Sequence, residues 1–244
     1  MSNPPMYGEL QPLDRELHKN LKLDTAQPVV GRVADQNSVF LAAVEFADAC
    51  KEYPIVFVRA GDAKDGEKPP VAPLAVLGLK AGSNLFVDGD KWTGSYVPAY
   101  VRRYPFAMAR LDGDANNLAV CFDSKWAGFN DATGDALFKD GQPSEFLVNA
   151  KTFLENFEQE AERTRLICNL LVEMDLLRDM RFEATMPGGE KIDVEGFLAL
   201  DEQKYNELPD DKVLHLHRNG LIALLEMHRL SLGNMNRLVA KYAN

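Results

Sequence analysis

The sequence predicts an α+β protein, with a mainly antiparallel β-rich front half packed with a helical back half. Three observations carry that prediction. Up to about residue 143, short apolar runs are separated by turn-forming residues, as in strands and hairpins. From Ser144 to Met174 apolar residues recur at helical spacing, and they do so again from Gly220 onward. Strand-like and helix-like segments never alternate regularly, which argues against a parallel α/β fold. A single domain over 1–244 is expected, with sub-regions 1–143 (β-rich) and 144–244 (mainly helical).

The elements follow in order. The first stretch, to about residue 35, is polar and dotted with proline, and reads as an extended arm or edge strand. Ser38 to Ala47 predicts a helix with Ser38 as N-cap and Val39, Ala43, Phe46 and Cys50 on one face; Pro54 stops it. Ile55 to Val58, Leu74 to Leu79 and Asn84 to Val87 predict three buried strands, and Asp88-Gly89-Asp90 a turn. Pro98 opens a short helix that Pro105 ends. Phe106 to Leu111 and Leu118 to Phe122 form a strand pair, followed by a polar loop over 124–142.

Ser144 then caps a helical stretch whose stripe is Phe146, Ala150, Phe153, Phe157, Ala161, Ile167, Leu171 and Met174, as one helix or as two with a kink. Arg181 to Thr185 and Lys191 to Ala199 predict a hairpin, and Asp201 caps a short helix reaching Leu208. The last helix starts at Gly220 and carries Leu221, Leu225, Leu232, Met235, Val239 and Tyr242 on one side.

Composition narrows the function classes. With 27 basic and 37 acidic residues the net charge is −10, and no basic block offsets it, which argues against nucleic acid as a partner. The opening MSNPPMYGELQPLDREL lacks a basic stretch followed by an apolar one, and no apolar run approaches the ~18 residues needed to span a bilayer. No membrane insertion is expected, and the expected compartment is the cytoplasm. Cys50, Cys121 and Cys168 are few and far apart, so reduced thiols are expected rather than disulfides or zinc ligands.

Chemical motifs are sparse. Gly61 to Lys68 resembles a phosphate-binding loop, but Glu67 stands where the lysine belongs and Pro69-Pro70 replaces the helix. Asp112 to Asn117 resembles the start of a calcium loop, but Asn117 holds the position that requires glycine. His215 and His217 share a face only on a strand. His228, with Ser231 one turn on, sits on the apolar stripe of the last helix, either as a hydrogen-bonded core histidine or facing a pocket. Catalytic signatures such as GxSxG, HExxH and GxGxxG are missing. No metal and no cofactor is expected.

The segment from Trp92 to Phe106 is the richest in binding chemistry. Trp92, Tyr96, Tyr100 and Tyr104 interleave with Arg102 and Arg103, offering rigid ring area and planar cations. Adjacent residues on a short helix point about 100° apart. One arginine is therefore expected to brace the fold, leaving the other available to a ligand.

Those residues also carry a family resemblance. Glu45-Phe46, Tyr53-Pro54-Ile55-Val56-Phe57, Leu77-Gly78-Leu79, Asn84-Leu85-Phe86-Val87 and Trp92 precede the most specific run, Tyr96-Val97-Pro98-Ala99-Tyr100-Val101-Arg102-Arg103-Tyr104-Pro105-Phe106. Leu137-Phe138, Asp140 to Ser144, Glu195-Gly196-Phe197, Gly220 and His228 to Leu232 follow. Together they resemble the bacterial SapC family from about Leu13 to Leu238. The resemblance implies a chain of similar length without a transmembrane signal, and a link to surface-layer gene clusters. It also implies a neighbourhood of tryptophan-halogenase-like flavoproteins and TonB-dependent receptors. It supplies no catalytic residues.

Two functions are expected to compete. The leading one is a non-catalytic binding or accessory protein, taking a partner protein, peptide or small ligand through Trp92, Tyr96, Tyr100, Arg102, Arg103 and Tyr104, with His228 and Ser231 as further candidates. The alternative is a small-molecule enzyme with an unfamiliar site near Tyr100, Arg102, Arg103 and His228. An open aromatic patch would favour the binder, and a pocket holding His228 and an arginine the enzyme.

Overall fold

The computed structural model describes residues 4–63, 66, 68–110, 118–185 and 188–243. It is an α+β protein with 35% helix and 27% strand. The chain forms two compact units. One draws on Met1–Ala34, Val87–Trp92 and Tyr100–Gln159, the other on Asp35–Phe86, Thr93–Ala99 and Glu160–Asn244. Neither unit is a contiguous half of the sequence.

The first unit is built on a three-stranded antiparallel sheet in the order Leu10–Pro12, Leu118–Asp123, Phe106–Arg110. The strand pair expected from the sequence is present, with Phe106 opposite Phe122 and Ala107 opposite Cys121. The loop Asp112 to Asn117 between them lies outside the described residues. The polar text over 124–142 is more ordered than expected. Phe129–Asn130 and Asp135–Ala136 both pair with Lys22–Leu23, and Phe138–Lys139 pairs with Gln142–Pro143. Its few apolar residues explain this: Phe129 stacks at 4.9 Å on Phe122 and at 5.5 Å on Phe106 and Trp126, enough ring area to order a loop.

The second unit holds a five-stranded antiparallel sheet in the order Leu177–Thr185, Lys191–Leu200, Ile55–Arg59, Val71–Val76, Ser38–Phe40. Ile55, Val56 and Phe57 are all buried, as a central strand covered on both faces requires. The hairpin formed by the first two strands carries a bulge where Arg181 stands against both Glu195 and Gly196. Gly196 takes φ +85, a conformation that side chains disfavour, so glycine fits the kink.

Several expectations are corrected. Ser38 does not cap a helix; Ser38–Phe40 is an edge strand paired with Leu74, Ala75 and Val76. Val39 and Phe40 suit a pleated surface, and sheet pairing outweighs the weak helical periodicity. Helical geometry begins only at Ala43–Glu45 and Phe46–Ala49. The strand expected over Leu74 to Leu79 runs instead over Val71–Val76. Asn84 to Val87 is not a third strand, because Asn84 Oδ1 turns the chain by accepting from the Phe86 N–H at 2.9 Å. Only Val87–Asp88 pairs, with Lys91–Trp92, around the expected turn.

The long helix Glu145–Glu173 is a single element, with Ser144 Oγ accepting from Leu147 N at 3.3 Å. Its residues through Gln159 belong to the first unit and the rest to the second. Its deepest positions, Leu147, Leu154, Phe157, Thr164, Cys168 and Leu171, follow steps of three, four and seven. Asp201 caps Glu202–Asn206 as expected, accepting from Lys204 N. The last helix is divided into Leu221–Ser231 and Asn234–Ala243. Among the described residues no helix is long and apolar enough to cross a membrane.

Candidate binding site

The aromatic–arginine segment is shared between the units. Trp92, Tyr100, Arg102, Arg103 and Tyr104 belong to the first, and Tyr96, His228 and Ser231 to the second. In the first unit the short helix Ala99–Arg102 opens after Pro98, and its turn sends Arg102 and Arg103 in different directions. Arg103 is buried, with only 8% of its side chain exposed. Its guanidinium lies over three rings, 4.2 Å from Tyr100, 4.6 Å from Phe157 and 5.7 Å from Tyr7. Glu158 Oε1 stands 3.8 Å from Nη1, too far for a good hydrogen bond. The Nε of Arg103 is buried and has no hydrogen-bond partner among the described residues. A buried charged donor left unpaired costs roughly 1–3 kcal/mol or more, so this atom demands an explanation. Arg102 is exposed and lies 5.3 Å over Phe153.

Tyr104 is anchored from the other side. Its hydroxyl donates to Asp123 Oδ2 at 2.7 Å, and Asp123 also accepts from the N–H groups of Gly8, Glu9 and Lys125. Asp123 is fully buried. Burial alone would raise its carboxyl; these donors outweigh burial and hold it below the ordinary carboxylate value. The Tyr104 phenol is pushed far up, by burial first and by Asp123 second. Tyr7 and Tyr100 are raised by burial, with Arg103 opposing.

Beside these arginines is a cavity of about 350 Å³. Its apolar walls come from Leu23, Val29, Trp126, Phe146, Phe153 and Leu154. Tyr104 and Phe106 add two more rings, and Thr25, Gln27 and Asn149 the uncharged polar groups. Arg102 and Arg103 are the charged residues among the described ones that line it, and no carboxylate does.

The remaining sequence candidates have their polar atoms engaged elsewhere. Trp92 is half-buried and closes the small hairpin opposite Val87. Tyr96 donates its hydroxyl to Glu45 Oε1 at 2.7 Å, while its carbonyl accepts from the Tyr53 hydroxyl. His228 is fully buried. Its Nε2 accepts from Leu200 N at 3.1 Å, and Nδ1 donates to Ile55 O at 2.8 Å, which fixes the tautomer. Burial lowers its pKa to about 4. Ser231 Oγ accepts from Ile55 N at 2.9 Å and donates to His228 O at 2.6 Å. The pair fastens the helix Leu221–Ser231 to the backbone of the central sheet, and neither residue lines the arginine cavity. His215 and His217 lie within the helix Asp210–Arg218 and so diverge.

A second cavity, of about 400 Å³, lies in the second unit between Asp48, Glu52 and Tyr96 and the last helix. Its charges are largely engaged: Lys51 pairs with Asp48 at 2.8 Å, Arg237 donates to Lys51 O, and Glu52 accepts from Ser95 and Tyr96 N–H. Among the described residues no group of three or more His, Cys, Asp or Glu is placed to hold a metal ion. Cys50, Cys121 and Cys168 are free thiols.

Sequence reasoning missed most of the cavity wall and both deeply buried acids, Asp123 and Glu45. Trp126, which with Phe129 and Phe138 gives three rings to an otherwise polar loop, was the one available signal. No curated protein and no solved structure matches the chain. The model of the SapC family matches residues 13–238, nearly the whole length, and the chain belongs to that family.

Proposed function

We propose that this chain is a non-catalytic binding or accessory protein that works through Arg102 and the cavity beside it. The observation that supports this reading most is the lining of that cavity: apolar walls, two arginines and no carboxylate among the described residues. The occupant is a partner protein, a peptide or a small ligand. A link to surface-layer or envelope functions rests on family membership, and a cytoplasmic location on the sequence expectations. The enzyme alternative loses support because His228 has both ring nitrogens committed to backbone groups and does not line the cavity beside the arginines.

The test is native mass spectrometry of the purified full chain beside Arg102→Ala. The reading expects a non-covalent adduct on the wild type that is lost or much reduced in the variant. Bare protein in both preparations, or an adduct equally occupied in both, would contradict it.

A further inference from the structure

We propose that the cavity of the first unit holds a small neutral aromatic molecule, its ring among the deep aromatic walls and its one polar group at the mouth. This deepens the binding reading above and rests on it.

Depth sets the orientation of the guest. Leu23, Tyr104, Phe106, Trp126 and Leu154 form the floor, each no more than 5% exposed. Phe146, Ala150 and Phe153 are half-buried and rise above them, and Thr25, Gln27 and Asn149 are exposed at the mouth. The floor carries two polar side-chain donors. The Tyr104 hydroxyl donates to Asp123 Oδ2 at 2.7 Å, and the Trp126 Nε1–H to Pro28 O at 3.4 Å. Neither has a proton left to give, so a polar group on the inner end of a guest would be buried without a donor. The inner end is therefore apolar. At the mouth, the Thr25 hydroxyl and the Asn149 amide can meet one uncharged polar group.

The two arginines leave the guest no free charge to pair with. Arg103 turns its guanidinium to Tyr7, Tyr100, Phe157 and Glu158, none of which lines the cavity. Arg102 is engaged within the protein and lies over Phe153 at 5.3 Å, so it completes the wall rather than serving as a counter-ion. A carboxylate or an ammonium would lose its hydration on entering without gaining an ion pair. A neutral guest loses little.

Size and ring packing set the rest. At about 350 Å³ the cavity lies near the lower end of the roughly 300–1,000 Å³ typical of small-molecule sites, room for a ring with a short side chain. Tyr104 meets Trp126 at 5.9 Å and 78°, and Phe106 meets Phe146 at 6.2 Å and 51°. A flat guest extends these edge and tilted contacts, and an alkyl chain does not.

The experiment is calorimetric titration of the full chain with 3-phenylpropan-1-ol, 3-phenylpropionate, 3-phenylpropylammonium and 1-hexanol, an aliphatic alcohol of similar hydrophobicity. Phenylpropanol is expected to bind. The acid and the ammonium should bind at least about tenfold more weakly, and hexanol several-fold more weakly. Ala150→Phe places a ring in the cavity from the long helix and should abolish binding in a chain that still melts cooperatively. Ala150→Leu fills less of the space and should weaken binding several-fold. No binding of phenylpropanol, binding of the acid, the ammonium or hexanol at least as tightly, or full binding by both filled variants would each overturn the proposal. If phenylpropanol fails while mass spectrometry shows an Arg102-dependent adduct of other chemistry, the ligand class is wrong and the binding reading stands. An adduct equally occupied in the wild type and Arg102→Ala overturns that reading and this proposal with it.

Discussion

The two adjacent arginines should respond very differently to truncation. Arg103 lies over three rings with its side chain 8% exposed, whereas Arg102 is exposed. Stacking a partly desolvated guanidinium on a ring is worth about 1 kcal/mol per ring. Burying Cγ and Cδ adds about 0.8 kcal/mol per methylene. Removing the unpaired Nε returns about 1.5 kcal/mol. Arg103→Ala should therefore cost about 3 kcal/mol, which for a chain of this length lowers Tm by about 6–12 °C. Arg102→Ala should cost no more than about 0.5 kcal/mol, a shift of about 2 °C or less. Arg103→Lys keeps charge but loses the planar stack and should fall between them. Circular dichroism melts of the three variants at pH 7 give the comparison. Similar melting of both alanine variants would refute the division of labour.

Other expectations follow from buried groups. His228, with its pKa lowered to about 4 against 6.5 unfolded, binds fewer protons folded than unfolded between those values. Stability should fall as pH drops from about 6.5 to about 4, by about 3 kcal/mol in all, and urea titrations of His228→Gln should lack that slope. Asp123 is held below its ordinary value, so its contribution is present above about pH 4 and lost as pH falls through its folded value. The Tm gap between wild type and Asp123→Asn should accordingly close in acid; a constant gap would argue against the carboxylate network. Gly78→Ala would place a Cβ 1.8 Å from the Ser83 carbonyl oxygen, a backbone atom that cannot yield cheaply, so at least about 3 kcal/mol should be lost in chemical denaturation. A thiol reagent on native protein should modify half-buried Cys50 well before Cys121 and Cys168, and all three after denaturation. The Cys168 thiol, pushed up to about 12 by burial, should be the slowest.

What the sequence disclosed depended on how local the deciding physics was. The long helix, its Ser144 cap, the Asp201 cap, the Leu177–Thr185 and Lys191–Leu200 hairpin and the central Ile55–Arg59 strand are all written in short-range patterns. Ser38–Phe40 was misread because its strand state depends on Leu74 to Val76, distant in sequence. The division into discontinuous units was invisible for the same reason. The aromatic–arginine segment showed binding chemistry but not its sharing between units, nor that Arg103 would be the buried partner and Arg102 the exposed one. His228 stood out as polar on an apolar stripe, and its acceptors and donors are backbone atoms that no side-chain pattern reveals. The cavity walls come from four separate stretches of chain and share no spacing.

The most direct measurement of the central claim, that the chain binds a partner or ligand through Arg102 and the cavity beside it, is native mass spectrometry of the full chain beside Ala150→Phe, which fills the cavity from the long helix. The account predicts a non-covalent adduct on the wild type that is lost or much reduced in the variant. Bare protein in both preparations, or an adduct equally occupied in both, would contradict it.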